Sequence, residues 1–167
     1  MTDLVTRPLA SPIGELTLIA SADALVAVDF PNHAQPPRPA RPVERHAVLD
    51  LAARELTEYF AGTRRQFSVP LAPAGTPFQR LVWDALYTIP FAVTWSYGQL
   101  AARIQRPSAS RAVGAANGRN PLPIIIPCHR VIGASGALTG FGGGIPTKVW
   151  LLGHEARVAG VQRELAL

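Results

Sequence analysis

Cysteine is almost missing from this 167-residue chain: Cys128 is the only one. No intramolecular disulfide and no multi-thiolate zinc site can form. The four histidines, His33, His46, His129 and His154, contain no i, i+4 pair, so the sequence predicts no metal and no cofactor. No apolar run approaches the roughly 18 residues needed to span a bilayer. The first residues, with Asp3, Arg7 and Pro8, do not form the apolar stretch of a secretory signal, and the expectation is a cytoplasmic protein. Charged residues make up only 16% of the chain, but the hydrophobic set reaches 48%, which excludes global disorder. The length allows one domain or two small ones.

Acids are scarce in the second half. Residues 1–75 hold seven Arg against eight Asp plus Glu, a net −1, whereas residues 76–167 hold nine Arg plus Lys against three acids, a net +6. Of those nine cations only Lys148 is a lysine. Arginine suits bidentate phosphate recognition, but the same bias can reflect a GC-rich genome, so charge alone leaves a polyanion partner open.

The first half reads as a small α/β unit. Residues 13–20 and 24–30 alternate apolar and polar side chains about a turn at 21–23, a hairpin pattern. Residues 31–42 contain five prolines and are expected to form an exposed, extended loop. Residues 44–60 keep helical spacing and stop at Gly62, and residues 67–71 are a further candidate strand. Nothing in this half forms a chemical constellation, and it is expected to be a packing domain. After a linker candidate at 72–75, Thr76 caps a helix whose apolar stripe ends before Pro90. Ser96 and Gln99 have capping-box spacing for another helix reaching Ile104, broken by Arg106 and Pro107. Ser108 is then expected to cap a second short helix, rich in alanine, that stops at Asn117-Gly118. Two short helices about a tight turn are a helix-turn-helix candidate or a plain packing pair. A small-residue face can lie against a sugar-phosphate wall, or it can simply be tightly packed.

The chemistry concentrates in residues 120–131, where three prolines and an apolar stretch, expected to be a buried strand, lead into Pro127-Cys128-His129-Arg130-Val131. A thiol attacks as thiolate, and an adjacent histidine invites a base role. Neighbouring side chains diverge, however, so a water-mediated relay fits better than direct contact, and a buried Cys beside a surface His is the bland alternative. The glycine loop 140–144 offers backbone N–H groups and close approach to a planar ligand. The helix expected around residues 147–154 brings Glu155 into range to orient a base, and Tyr97 adds a phenol.

These residues together resemble a known family. Pro127-Cys128-His129-Arg130-Val131, with Asn120-Pro121 before it and Leu151-Leu152-Gly153-His154-Glu155 after the glycine loop, is similar to the O6-alkylguanine-DNA alkyltransferases, also called methylated-DNA–protein-cysteine methyltransferases. The resemblance runs from about residue 76 to 157 and includes Ser96-Tyr97-Gly98 and Ser110-Arg111-Ala112-Val113-Gly114; before residue 76 it rests on Ser11-Pro12-Ile13-Gly14 and the domain order. It implies an α/β N-terminal domain (1–72) and a mainly α, winged-helix-like C-terminal domain (76–167) carrying the helix-turn-helix. It implies direct-reversal repair, with a single-use transfer of an alkyl group from O6-alkylguanine in double-stranded DNA, and less firmly from O4-alkylthymine, to Cys128. His129 would act as base through a water, Glu155 would orient it, and Tyr97 would donate towards guanine N3. Asn120 would hold the turn, and the main chain of Cys128, Val131 and Gly142 would read the base edge. Arg111 would fill the stack vacated by the flipped nucleotide, with Ser110, Ala112, Ala115 and Gly118 as further DNA contacts from a helix in the minor groove. A monomer in solution that can cluster on DNA is the expected state.

Three positions depart from the family pattern. Ala92 stands where many members have Gly, Phe141 where some have Tyr, and Gly142 where some have Ser. The cysteines that bind zinc in metazoan members are missing here, in keeping with no metal. Two other classes compete, a helix-turn-helix regulator without chemistry and a Cys-His hydrolase. The first predicts unchanged protein mass after exposure to O6-methylguanine DNA, and the second predicts turnover beyond one equivalent.

Overall fold

A computed structural model describes residues 3–32, 38–138 and 141–161. In the N-terminal part, β1 (Val5–Leu9), β2 (Leu16–Ala20), β3 (Leu25–Asp29) and β4 (Arg41–Pro42) form one sheet in the order β3-β2-β1-β4. The β1–β2 turn closes with the Gly14 N–H on the Ser11 carbonyl at 3.1 Å, and Gly14 takes φ 103°, which is why the Ser-Pro-Ile-Gly opening ends in glycine. The expected hairpin is present as β2–β3, with a bulge at Ile19/Ala20. Strand β1 escaped the sequence pattern because Arg7 and Pro8 interrupt its alternation, and Pro8 is exposed there. The extended reading of the proline-rich segment holds at residues 41–42, where β4 pairs parallel with β1, while residues 33–37 lie outside the described part.

Helix α1 (Ala47–Phe60) lays Val48, Leu49, Ala52, Leu56 and Tyr59 onto the sheet. It starts at Ala47 rather than at residue 44, because the His46 side chain accepts the Leu49 N–H and caps it. Residues 67–71 form no strand beyond an isolated bridge of Leu71 to Leu25. The reason is the buried Glu55 carboxylate, which takes the N–H groups of Ser68 and Val69 that a sheet neighbour would otherwise accept.

The C-terminal part is mainly helical. Helix α2 (Pro77–Tyr87) and helix α3 (Tyr97–Arg103) both carry complete capping boxes, Thr76 with Gln79 and Ser96 with Gln99, as their sequences predict. Left-handed Gln105 (φ 60°) turns the chain between α3 and α4 (Ser110–Gly118), which pack together as the helix-turn-helix. Ser108 does not cap α4: the N-cap is Ala109, with no side-chain bond, and Asn117-Gly118 forms the last turn instead of stopping the helix earlier. Residues 124–126 are buried but not a strand, since Ile124 at φ 74° reverses the chain. A short 3-10 turn (Cys128–Arg130) leads into β6 (Val131–Ile132), which pairs in parallel with β5 (Trp95–Ser96). Helix α5 (Ile145–Ala159) is longer than expected and ends on left-handed Gly160.

The two parts share one hydrophobic core running from Val5 to Leu151. The Val28 N–H of β3 bonds the Pro121 carbonyl at 2.9 Å, which anchors the sheet to the segment preceding Cys128. Among the described residues no helix is long and apolar enough to cross a membrane.

Candidate active site

Asn120 ties the loop that delivers the thiol. Its Oδ1 accepts the Leu122 N–H at 2.9 Å and its Nδ2 donates to the Ile126 carbonyl at 2.8 Å, spanning the reversal at Ile124. The Cys128 N–H then bonds the Ile126 carbonyl at 2.7 Å, and the 3-10 turn sends successive side chains apart. Cys128 faces a cleft walled by Asn117, Gly118, Asn120, Pro121 and Pro123 on one side, by Val28, Asp29 and Phe30 of the sheet, and by Phe141 and Gly142 of the glycine loop. Gly143 must be small, because a Cβ there would meet the Phe30 ring at 2.8 Å.

Burial pushes the Cys128 thiol up to about 11, against the pull of the Asn120 hydrogen bond and the Lys148 charge. Such a thiol is protonated at neutral pH and attacks only if a base removes its proton as it does so. His129 is fully buried, and its Nε2 lies 2.7 Å from Glu155 Oε2. Burial holds its pKa below the ordinary histidine value, although Glu155 pulls the other way. An ionised carboxylate can only accept, so Nε2 carries the hydrogen and Nδ1 of the neutral ring is left with a lone pair. That Nδ1 is buried and has no hydrogen-bond partner among the described residues.

Glu155 is the most heavily bonded group of the site. Oε2 accepts from Tyr59 Oη (2.6 Å), His129 Nε2 (2.7 Å) and Arg130 Nη2 (2.9 Å), while Oε1 accepts from Arg130 Nε (2.8 Å) and the Ala92 N–H (3.2 Å). Burial would raise its pKa, but His129 and Arg130 hold the carboxyl well below the usual range. Ala92 sits at φ 65°, a conformation that costs an L-residue about 1–2 kcal/mol. Lys148, fully buried on α5, donates to the Val131 carbonyl at 2.7 Å; burial lowers its pKa and the Cys128 thiolate would raise it.

The structure thus brings Cys128, His129, Glu155, Asn120 and Gly142 to one place, with Val131 joined to it through Lys148. Tyr97 begins α3, and the Cβ that Gly114 lacks would lie 3.7 Å from its ring; the phenol is not among the residues lining the Cys128 cleft. On α4, Val113, Ala116 and Asn117 are buried, whereas Arg111, Ala112, Ala115 and Gly118 are exposed and Ser110 is half-buried. Positions 111, 115 and 118 share one helical face, and a Cβ on Gly118 would meet nothing within 4 Å. The small-residue face is therefore open rather than tightly packed. Gly140 lies outside the described residues.

Sequence reasoning missed four contributors. Asn117 donates weakly to the Cys128 carbonyl (3.5 Å), and its buried Oδ1, at the cleft wall, has no partner among the described residues. Arg130 lies inside the Cys128 motif and Lys148 inside the helix expected over 147–154, and the sequence gives neither a role. Tyr59 corrects the reading of the first half as chemically empty, because it passed as a core aromatic in the α1 stripe. The available signal was its hydroxyl, which a buried tyrosine must satisfy somewhere.

Two family models match the chain: 6-O-methylguanine DNA methyltransferase, ribonuclease-like domain, over residues 4–73, and 6-O-methylguanine DNA methyltransferase, DNA binding domain, over residues 77–157. The chain is similar to the methylated-DNA–protein-cysteine methyltransferase of Methanosarcina acetivorans (48% identical, over 85% of this chain and 92% of the relative). It is also similar to that of Shigella flexneri (42% identical, over 93% and 97%). Among solved structures it is similar to Mycobacterium tuberculosis OGT in complex with DNA, with a TM-score of 0.85 and 46% identity over 92% of this chain and 93% of that one.

Proposed function

Because the chain belongs to the 6-O-methylguanine DNA methyltransferase family, we propose that Cys128 is the alkyl acceptor and that His129, held by Glu155, is the base that frees its thiolate. The protein repairs DNA by direct reversal, binding double-stranded DNA and moving the alkyl group of O6-alkylguanine onto a cysteine. With one cysteine in the sequence, that acceptor is Cys128. Residues 1–72 and 76–167 are the two domains of this reading.

The observation that carries the catalytic assignment is the bare Nδ1 of buried His129, fixed as an acceptor by Nε2–H donating to Glu155. As sulfur approaches the alkyl carbon, the thiol proton passes through a water to Nδ1. The S–C bond forms while the C–O6 bond breaks, and the electron pair stays on the guanine. That base takes up one proton and regains its ordinary lactam form, so the net change moves the thiol hydrogen to guanine and the alkyl group to sulfur. Lys148 opposes the cost of burying the thiolate, and Tyr97 assists the leaving base at N3. The main chain of Cys128, Val131 and Gly142 reads the base edge, and Arg111 fills the stack on the open face of α4. A thioether has no easy hydrolytic exit, so each chain acts once, which sets this reading apart from a hydrolase. A lone thiol that must stay reduced fits a cytoplasmic location.

Intact-protein mass spectrometry after mixing with an O6-methylguanine duplex should show one added methyl, about 14 Da, on the peptide holding Cys128. More than one equivalent of repaired DNA per chain would refute single use. Cys128→Ser should keep DNA binding and its steep salt dependence while losing transfer.

A further inference from the structure

We propose that Tyr59, supplied by α1 of the N-terminal part, is a positioning residue of the alkyl-transfer site: its hydroxyl shares Glu155 Oε2 with His129 and so sets how strongly the carboxylate attracts the His129 proton. The inference rests on the reading of His129 as base. Tyr59 is fully buried and its Oη–Oε2 distance, 2.6 Å, is shorter than the 2.7 Å from the same oxygen to His129 Nε2. The phenol is the donor, since Glu155 is ionised and burial together with the Glu155 charge pushes the Tyr59 hydroxyl well above its ordinary pKa.

The ring cannot easily swing away. It packs edge-on against Phe91 and His154, and the Tyr59 carbonyl accepts His154 Nε2 at 2.8 Å. The hydroxyl is therefore held on a carboxylate oxygen 96 positions away in the chain. A carboxylate oxygen that serves three donors holds each less strongly than one that serves two. Tyr59 thus tempers the stabilisation of protonated His129.

Three charged groups face His129. Glu155 on α5 favours protonated His129, Arg130 of the 3-10 turn and Lys148 of α5 oppose it, and Cys128 faces the cleft. The Ala92 N–H, from the segment between α2 and β5, bonds the other carboxylate oxygen. Among the described residues, Tyr59 alone reaches the Glu155 carboxylate from the N-terminal part. It joins that part to the chemistry and keeps His129 unprotonated, with Nδ1 free, as pH falls.

The test is Tyr59→Phe in single-turnover alkylation of Cys128 by an O6-methylguanine duplex between about pH 5 and 9. Losing the hydroxyl should move the acidic limb of the rate profile to higher pH by about half to one unit. The DNA concentration giving half-maximal rate should not change. Tyr59→Leu, which also removes the ring, should show the same limb shift together with a lower Tm. A residue that only packs would lower Tm and leave the limb in place, so a limb coincident with wild type, or moved to lower pH, overturns the proposal. A wild-type profile with normal single transfer to Cys128 but no acidic limb would instead remove His129 as base, and this inference with it.

Discussion

Glu155→Gln is the most demanding perturbation of this protein, because the carboxylate pairs with the buried Arg130 and also holds the proposed base His129. The amide keeps the shape of the side chain but replaces one acceptor oxygen with an NH2 donor. Five donor contacts converge on the two oxygens now. After substitution at least one of Tyr59, His129, Arg130 or Ala92 meets a donor, and the buried Arg130 guanidinium loses its only ion-pair partner among the described residues. Removing one member of a buried pair costs about 3–5 kcal/mol, because the remaining charge stays out of water. With a urea slope near 2 kcal/mol per M, the midpoint should fall by about 1.5–2.5 M. The pH dependence follows from the direction of the shift. The folded-state pKa of Glu155 lies below its unfolded value, near 4.5, so its contribution is complete above that pH and is lost as pH falls through the folded-state value. The gap between wild type and variant should therefore be widest near neutrality and narrow below about pH 4.5. At pH 7, in urea-free buffer where both are folded by circular dichroism, alkylation should slow by about 10²- to 10⁴-fold, since an amide N–H facing Nε2 moves the His129 hydrogen to Nδ1 and removes the base. A urea midpoint equal to wild type, or a gap that widens in acid, would refute the reasoning about the buried network.

Two further perturbations probe separate parts of the molecule. Arg111→Ala should slow repair of duplex DNA by about 30- to 150-fold, if the arginine offsets 2–3 kcal/mol of unstacking, while reaction with free O6-alkylated guanine base is nearly unchanged; equal slowing on both substrates would move Arg111 from base extrusion to site structure. Ala92→Gly should raise thermal stability by up to about 1 kcal/mol, since relief of the left-handed strain at φ 65° exceeds the entropy glycine loses on folding, and a lower Tm in calorimetry would contradict it.

The features legible in the sequence are those decided by neighbours along the chain. Thr76 with Gln79 and Ser96 with Gln99 close capping boxes across three residues, so the starts of α2 and α3 could be read directly. The apolar stripes of α1 and α2 and the β2–β3 hairpin follow from local periodicity, and the Cys128 motif holds a thiol and an imidazole side by side. Where a local signal was ambiguous it misled: Ser108 looked like a cap for α4, yet the turn at left-handed Gln105 sets the helix to begin after Ala109.

Tertiary structure decided what depends on partners far along the chain. Strand β1 exists because β2 and β4 flank it, despite Arg7 and Pro8, and β5 meets β6 between Trp95 and Val131. The apolar residues before Cys128 read equally well as a strand, but the Asn120 side chain bridging Leu122 and Ile126 fixes them as a reversal. Glu155 could be nominated from sequence as a partner for His129. That it also gathers Tyr59, Arg130 and the Ala92 N–H could not, because periodicity records only that Tyr59 faces inward. Which buried acceptor its hydroxyl finds is settled when α1 and α5 close over a common core, where a hydroxyl left unpaired would cost free energy.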